Sequence, residues 1–208
     1  AGWRRCFSSA LSARRWSAKL LRTASYDEAL GGWTVRSSRP FALAIGVLFP
    51  RLCVSDGMRN LLTKRQFEAV IAHERAHANR HDSLVKLVAR ACAQLHLAAV
   101  KHRILDELDV ACEQSCDEVA ARAVADRIVV AEALLTVERA MGRTAIPAAA
   151  LAFGAQSLER RVHAMLSDDW RQPSGAAVVG AILVATAALL ASYDRPHHAA
   201  ETILDWLV

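Results

Sequence analysis

The residues best suited to chemistry are His73-Glu74-Arg75-Ala76-His77. On a helix, side chains four apart share one face, so His73 and His77 can direct their imidazoles at one ion. A Zn²⁺ held by imidazole nitrogens at about 2.0–2.1 Å lowers the pKa of its bound water toward about 7. Glu74, beside the first ligand, can then act as the general base that takes a proton from the attacking water. The alternative is an exposed helix carrying two histidines and a solvated glutamate. A catalytic zinc site normally has three protein ligands. His81 continues the series, but about 12 Å along the helix axis from His73, too far to share the ion. Glu113, some forty residues downstream on a separate helix, is the better third ligand. Asp117 lies one turn further on the same face and can accept the free N–H of a ligating imidazole, fixing its tautomer. The alternative for both is a solvated acidic face, since Glu107, Asp109 and Glu118 lie close by.

The surrounding pattern supplies the elements that must position these groups. Thr63 reads as an N-cap with Gln66 as its capping-box partner. Phe67, Val70, Ile71 and Ala72 then recur at helical spacing. Further helices are expected over 83–101, 106–124, 129–141 and 157–166. Before them, 33–37, 41–47 and 51–55 are short, rich in β-formers and punctuated by Pro40, Gly46 and Pro50, with a turn at Asp56-Gly57. The expected class is α+β, mostly helical: a small β-sheet or hairpin, then a zincin-type helical metallopeptidase core, then one transmembrane helix.

That last element rests on Ser174 to Tyr193, 20 residues without a charge, which as a helix span about 30 Å, a bilayer core. Arg160, Arg161 and Arg171 precede it and Arg195 follows, so the positive-inside rule puts the bulk of the chain on the cytoplasmic side of the cell (inner) membrane. The expected division is a basic, membrane-surface segment at 1–30, a zinc metallopeptidase domain at 31–170, the span at 174–193 and a short extracytoplasmic tail at 194–208. A basic, Trp-bearing start (Arg4, Arg5, Arg14, Arg15, Lys19 and Arg22, with Trp3 and Trp16) suits an anionic lipid surface, and equally a solvated loop. The net charge of +5 over 208 residues comes with no nucleic-acid-binding motif, so no nucleic-acid partner is expected. Five scattered cysteines do not form a disulfide framework. Cys112 and Cys116, four apart, could share a helix face and bind metal, but read rather as two small residues on a helix.

Two linked segments, HERAHANRHD (His73 to Asp82) and EQSCDE (Glu113 to Glu118), together resemble the BlaR/MecR-type membrane zinc metallopeptidases, the transducers of beta-lactam resistance. PFALAIGVLFPRLCVS before the site and LERRVHAML after it are similar as well, and the resemblance runs from about Trp33 to Tyr193. It implies His73, His77 and Glu113 as zinc ligands, Glu74 as base and an orienting role for Asp117. It also implies a cytoplasm-facing domain between membrane helices, with a transcriptional repressor as substrate. The penicillin-binding sensor of that family has no counterpart in these residues, so direct beta-lactam sensing is not expected of them.

The expectation is therefore a membrane-anchored zinc endopeptidase acting on a protein or peptide substrate, a regulator in antibiotic-resistance-type signalling among them. The strand near 41–47 could offer its edge to an extended substrate. Two other readings remain open at this point: a quality-control membrane peptidase of the prenyl-endopeptidase type, and a membrane signalling or scaffold protein with a non-catalytic metal site. Arg161 and His163 are the basic residues considered for stabilising the oxyanion.

Overall fold

The computed structural model describes residues 20–93, 98–142, 158–167 and 180. All but one residue of the expected span at 174–193 lies outside these residues, as do the tail at 194–208 and the first 19 residues. Among the described residues, no helix is long and apolar enough to cross a membrane.

The chain is a mostly helical α+β fold. Four short strands, β1 (Ala24–Asp27), β2 (Gly32–Val35), β3 (Ala42–Ile45) and β4 (Arg51–Ser55), form one sheet in the order β1-β2-β4-β3. The β2–β4 pair is parallel and the two outer pairs are antiparallel. Strand β1 was not anticipated, because Ser25, Tyr26 and Asp27 give it no apolar alternation. The other three strands fall where expected, with β3 on an open edge.

The Asp56-Gly57 dipeptide does not make a turn. It opens a short helix α1 (Asp56–Leu61), whose N-cap Ser55 accepts the Met58 N–H at 3.1 Å. Glycine is needed here for space: a Cβ at Gly57 would lie 2.3 Å from the Ser38 carbonyl oxygen, a contact that would force the backbone apart.

Helix α2 (Lys64–Asn79) begins with the expected capping box between Thr63 and Gln66. It is followed by α3 (Asp82–Ala93), α4 (Ala98–Val124) and α5 (Arg127–Gly142), and by α6 over 158–166. No break falls at the expected 101–106, because α4 runs through these residues. No Gly or Pro stands between His81 and Met141, so neither of these residues punctuates the helices. The α4–α5 corner is made by Ala125 at φ 52° and by the Asp126 carboxylate, which accepts the Ile128 N–H at 3.0 Å.

Two apolar clusters set the frame. One face of the sheet (Leu52, Val54) packs on Ile71 of α2 and Met58 of α1. A second cluster joins Ala69 of α2 to Ala120 and Ala121 of α4, Val130 and Ala131 of α5 and Met165 of α6. Alanines at this crossing let α2 and α4 approach closely, and that approach brings the functional side chains of the two helices together.

Candidate metal centre

Within α2, His73 and His77 lie one turn apart, with their Nε2 atoms 3.0 Å from each other. Glu113 of α4 reaches both: its Oε2 is 3.4 Å from His73 Nε2 and its Oε1 is 3.5 Å from His77 Nε2. Ligands about 2.0–2.1 Å from a tetrahedral ion sit about 3.3 Å apart, so these spacings fit one divalent ion with only small adjustment. The three side chains are 12%, 14% and 23% exposed, which leaves the cluster open on one side.

Each imidazole is held from behind. Asp117 Oδ1 is 2.9 Å from His73 Nδ1, and Asp82 Oδ2 is 2.7 Å from His77 Nδ1. A carboxylate at Nδ1 takes that nitrogen's proton in a hydrogen bond and leaves the Nε2 lone pair for an ion. The structure thus brings Asp117 against His73 Nδ1. Asp82 was missed, although it lies inside the motif segment. The signal is the end of α2: C-cap Arg80 and then His81 at φ 53° turn the chain so that the fifth residue after His77 comes back to its ring. His81 itself is exposed, with Nδ1 against the Asn79 carbonyl oxygen, and takes no part in the centre.

The carboxyls differ in charge preference. Burial works to raise Glu113, but hydrogen bonds from His73 and His77 and the nearby Arg161 charge overcome it and hold Glu113 well below the usual carboxylate range. Burial is likewise outweighed at Asp117 by Arg161 and His73, and at Asp82 by His77 and Arg80, so both are lowered. Glu74 runs the other way: burial raises it, and the neighbouring histidines and the Ala44 N–H do not offset the effect. A carboxyl moved toward neutral pH is suited to shuttle a proton, while those held as anions are suited to hold a cation. Burial also disfavours charge on the imidazoles, but their hydrogen-bonded carboxylates win, and His77 is pushed up to about 12. An ion entering the site thus displaces protons.

Glu74 also ties the site to the sheet. Its Oε2 accepts the backbone N–H of Ala44 at 2.9 Å, so the open edge of β3 faces the cluster. The other surrounding groups were not expected. Lys86 of α3 places Nζ 3.3 Å from Glu113 Oε1 and 3.2 Å from Asp109. Cys116, read from sequence as a small helix residue, is fully buried with Sγ 3.3 Å from His77 Nδ1. Burial raises its thiol, so it packs as a neutral group behind the ring. Cys116, Asp82 and His77 are close enough to form a second group of metal-ligand type, but the short Asp82–His77 hydrogen bond already uses that side of the imidazole. Of the two basic residues considered for the oxyanion, His163 is exposed. Arg161 is engaged with Asp117 and Glu113.

A family model described as BlaR1 peptidase M56 matches residues 37–165, more than half of the chain and all of the residues described above from β3 to Met165 of α6. Searches of curated proteins and of solved structures give no match.

Proposed function

This chain belongs to the BlaR1 peptidase M56 family, and from that premise we propose that it is a zinc-dependent endopeptidase, anchored in a membrane, that hydrolyses peptide bonds of a protein substrate. The observation that carries the reading is the convergence of His73, His77 and Glu113 beside the one carboxyl of the cluster, Glu74, whose proton affinity is raised. Nitrogen ligands with a single carboxylate suit zinc among common divalent ions. When bound, the ion supplies Lewis acidity toward a water and a substrate carbonyl.

The chain's own residues do the rest. His73, His77 and Glu113 hold the ion. Asp117 and Asp82 keep both Nε2 atoms turned toward it. Glu74 takes the proton of the attacking water and passes it to the leaving amine. The edge of β3 receives an extended substrate strand by main-chain pairing beside Ala44, whose own N–H is taken by Glu74. Because that N–H already serves Glu74, Ala44→Pro would disturb the base as well as the edge and is a poor probe of strand pairing.

The uncharged stretch Ser174 to Tyr193 anchors the protein, with the arginines before it keeping the catalytic part on the cytoplasmic side. A soluble transcriptional regulator reached from that face is the proposed substrate. The decisive experiment is Glu74→Gln in the full chain in detergent. Zinc should stay bound while cleavage of an unfolded protein falls by about 10²–10⁴. Undiminished cleavage would remove Glu74 from its role. A wild-type chain that binds zinc and cuts nothing would point to a non-catalytic centre.

A further inference from the structure

We propose that Arg161 is a positioning residue of the metal centre, acting on His73 through Asp117 and directly on Glu113. The inference rests on the metal site proposed above. Arg161 Nε donates to Asp117 Oδ2 at 2.8 Å and Nη2 to Oδ1 at 2.7 Å, a two-pronged grip that fixes the plane of the carboxylate as well as its place. The gripped Oδ1 is the oxygen that lies 2.9 Å from His73 Nδ1. The third nitrogen, Nη1, sits 3.4 Å from Glu113 Oε2, the oxygen nearer His73 Nε2. One guanidinium therefore sets the direction of two of the three ligands.

The grip comes from outside the α2–α4 pair. Arg161 stands on α6, which is itself fastened to α4 by the Arg160–Glu107 pair at 2.7 Å and seated by Met165 in the apolar cluster. The His77 side has no such dependence, since Asp82 is set by the α2–α3 corner. His73 and Glu113 are thus fully aligned only when 158–166 lies in place.

A charge argument alone predicts the opposite result on removing Arg161. A cation beside a divalent ion repels it, so a neutral residue there would tighten zinc binding. Positioning predicts weaker binding, because His73 and Glu113 lose their alignment. Lysine separates the two further: it keeps the charge but lacks the fork.

The test uses the full chain in detergent, with zinc affinity read by competition against a chromophoric chelator and ligand geometry by the visible absorption of the Co²⁺ form. Arg161→Ala is expected to weaken zinc about ten- to a hundredfold and to change the Co²⁺ spectrum. Arg161→Lys, the safer variant for folding, is expected to recover less than half of that loss on a logarithmic scale. In an Asp117→Asn background, Arg161→Ala should cost no more than about threefold, because the route through Asp117 is already lost and only the longer contact with Glu113 remains. Unchanged or tighter zinc in Arg161→Ala, or full recovery by Arg161→Lys, would overturn the positioning role. A wild-type chain without zinc affinity would instead overturn the metal reading beneath it.

Discussion

The two imidazoles of the centre are supported in unlike ways. His77 is held by a neighbour in sequence, Asp82, five residues on and delivered by the turn at Arg80 and His81. His73 is held by Asp117 from a separate helix, and Asp117 in turn by Arg161 from a third. One half of the site is therefore local and comes with the corner of the helix pair. The other is tertiary and exists only when α4 and α6 have docked. The difference teaches where the centre is fragile: damage far from the His-Glu-x-x-His helix should reach the ion through His73, and much less through His77.

Removing Glu113, the carboxylate that reaches both imidazoles and the proposed third ligand, should have the largest effect. Glu113→Ala should lower bound zinc from about one per chain to near none and reduce cleavage at least about a hundredfold, as measured by metal analysis of the purified chain. Full zinc content in this variant would show that the ion does not bridge α2 and α4.

The comparison itself is tested by treating its two carboxylates alike. Asp117→Asn takes from the Arg161 charge, 14% exposed, its closest anion and leaves only the 3.4 Å contact with Glu113. Breaking a buried pair in this way costs about 3 kcal/mol, and zinc should weaken about ten- to a hundredfold. Asp82→Asn still offers an oxygen to His77 Nδ1–H, so less than tenfold in zinc and about 1 kcal/mol in stability are expected. Melts and chelator competition run side by side check both. Equal losses, or a larger loss at Asp82, would erase the distinction between a local and a tertiary half.

The same distinction governs what the sequence made legible. The residues that share one helix, His73, Glu74 and His77, follow from helical periodicity and one capping box, since both act within a few residues. Glu113 and Asp117 could be placed on one face because they too are four apart, although only the docking of α4 on α2 shows that they face the histidines. Arg161 carried no signal of its role: its partner lies 44 residues away and its neighbour Arg160 is chemically identical. Asp82 was hidden for another reason. Its use depends on a left-handed residue, His81, at a position where glycine is the usual marker.

The acidity of Glu74 gives a further prediction, for the ion-free protein. Its folded pKa lies above the ordinary value of 4.5, so its contribution to stability is complete below about pH 4.5 and is lost as the pH rises through the folded value. Above that range the folded state carries a buried, unfavourable charge. Glu74→Gln keeps an oxygen for the Ala44 N–H and removes the charge. The variant should be more stable than the parent by about 1 kcal/mol at pH 7–8, or about 2–4 °C in Tm, with the gain shrinking toward pH 4. A gain that is constant with pH would assign it to packing instead of charge.

The smallest effect belongs to the corner that serves His77. His81 holds φ at 53°, a conformation in which a side chain costs about 1 kcal/mol relative to glycine. Its N–H bonds to the Ala78 carbonyl and its own carbonyl accepts the Leu84 N–H at 2.8 Å, so the backbone of the turn, not the imidazole, joins α2 to α3. His81→Gly should keep those bonds and relieve the strain, offset by the greater freedom of glycine in the unfolded chain. A net gain of about 0.5 kcal/mol, with zinc affinity unchanged within twofold, is expected from denaturant melts and chelator competition. If zinc weakened while the fold was retained, the imidazole of His81 would be acting on the centre, and the local half would be less self-sufficient than Asp82 alone makes it.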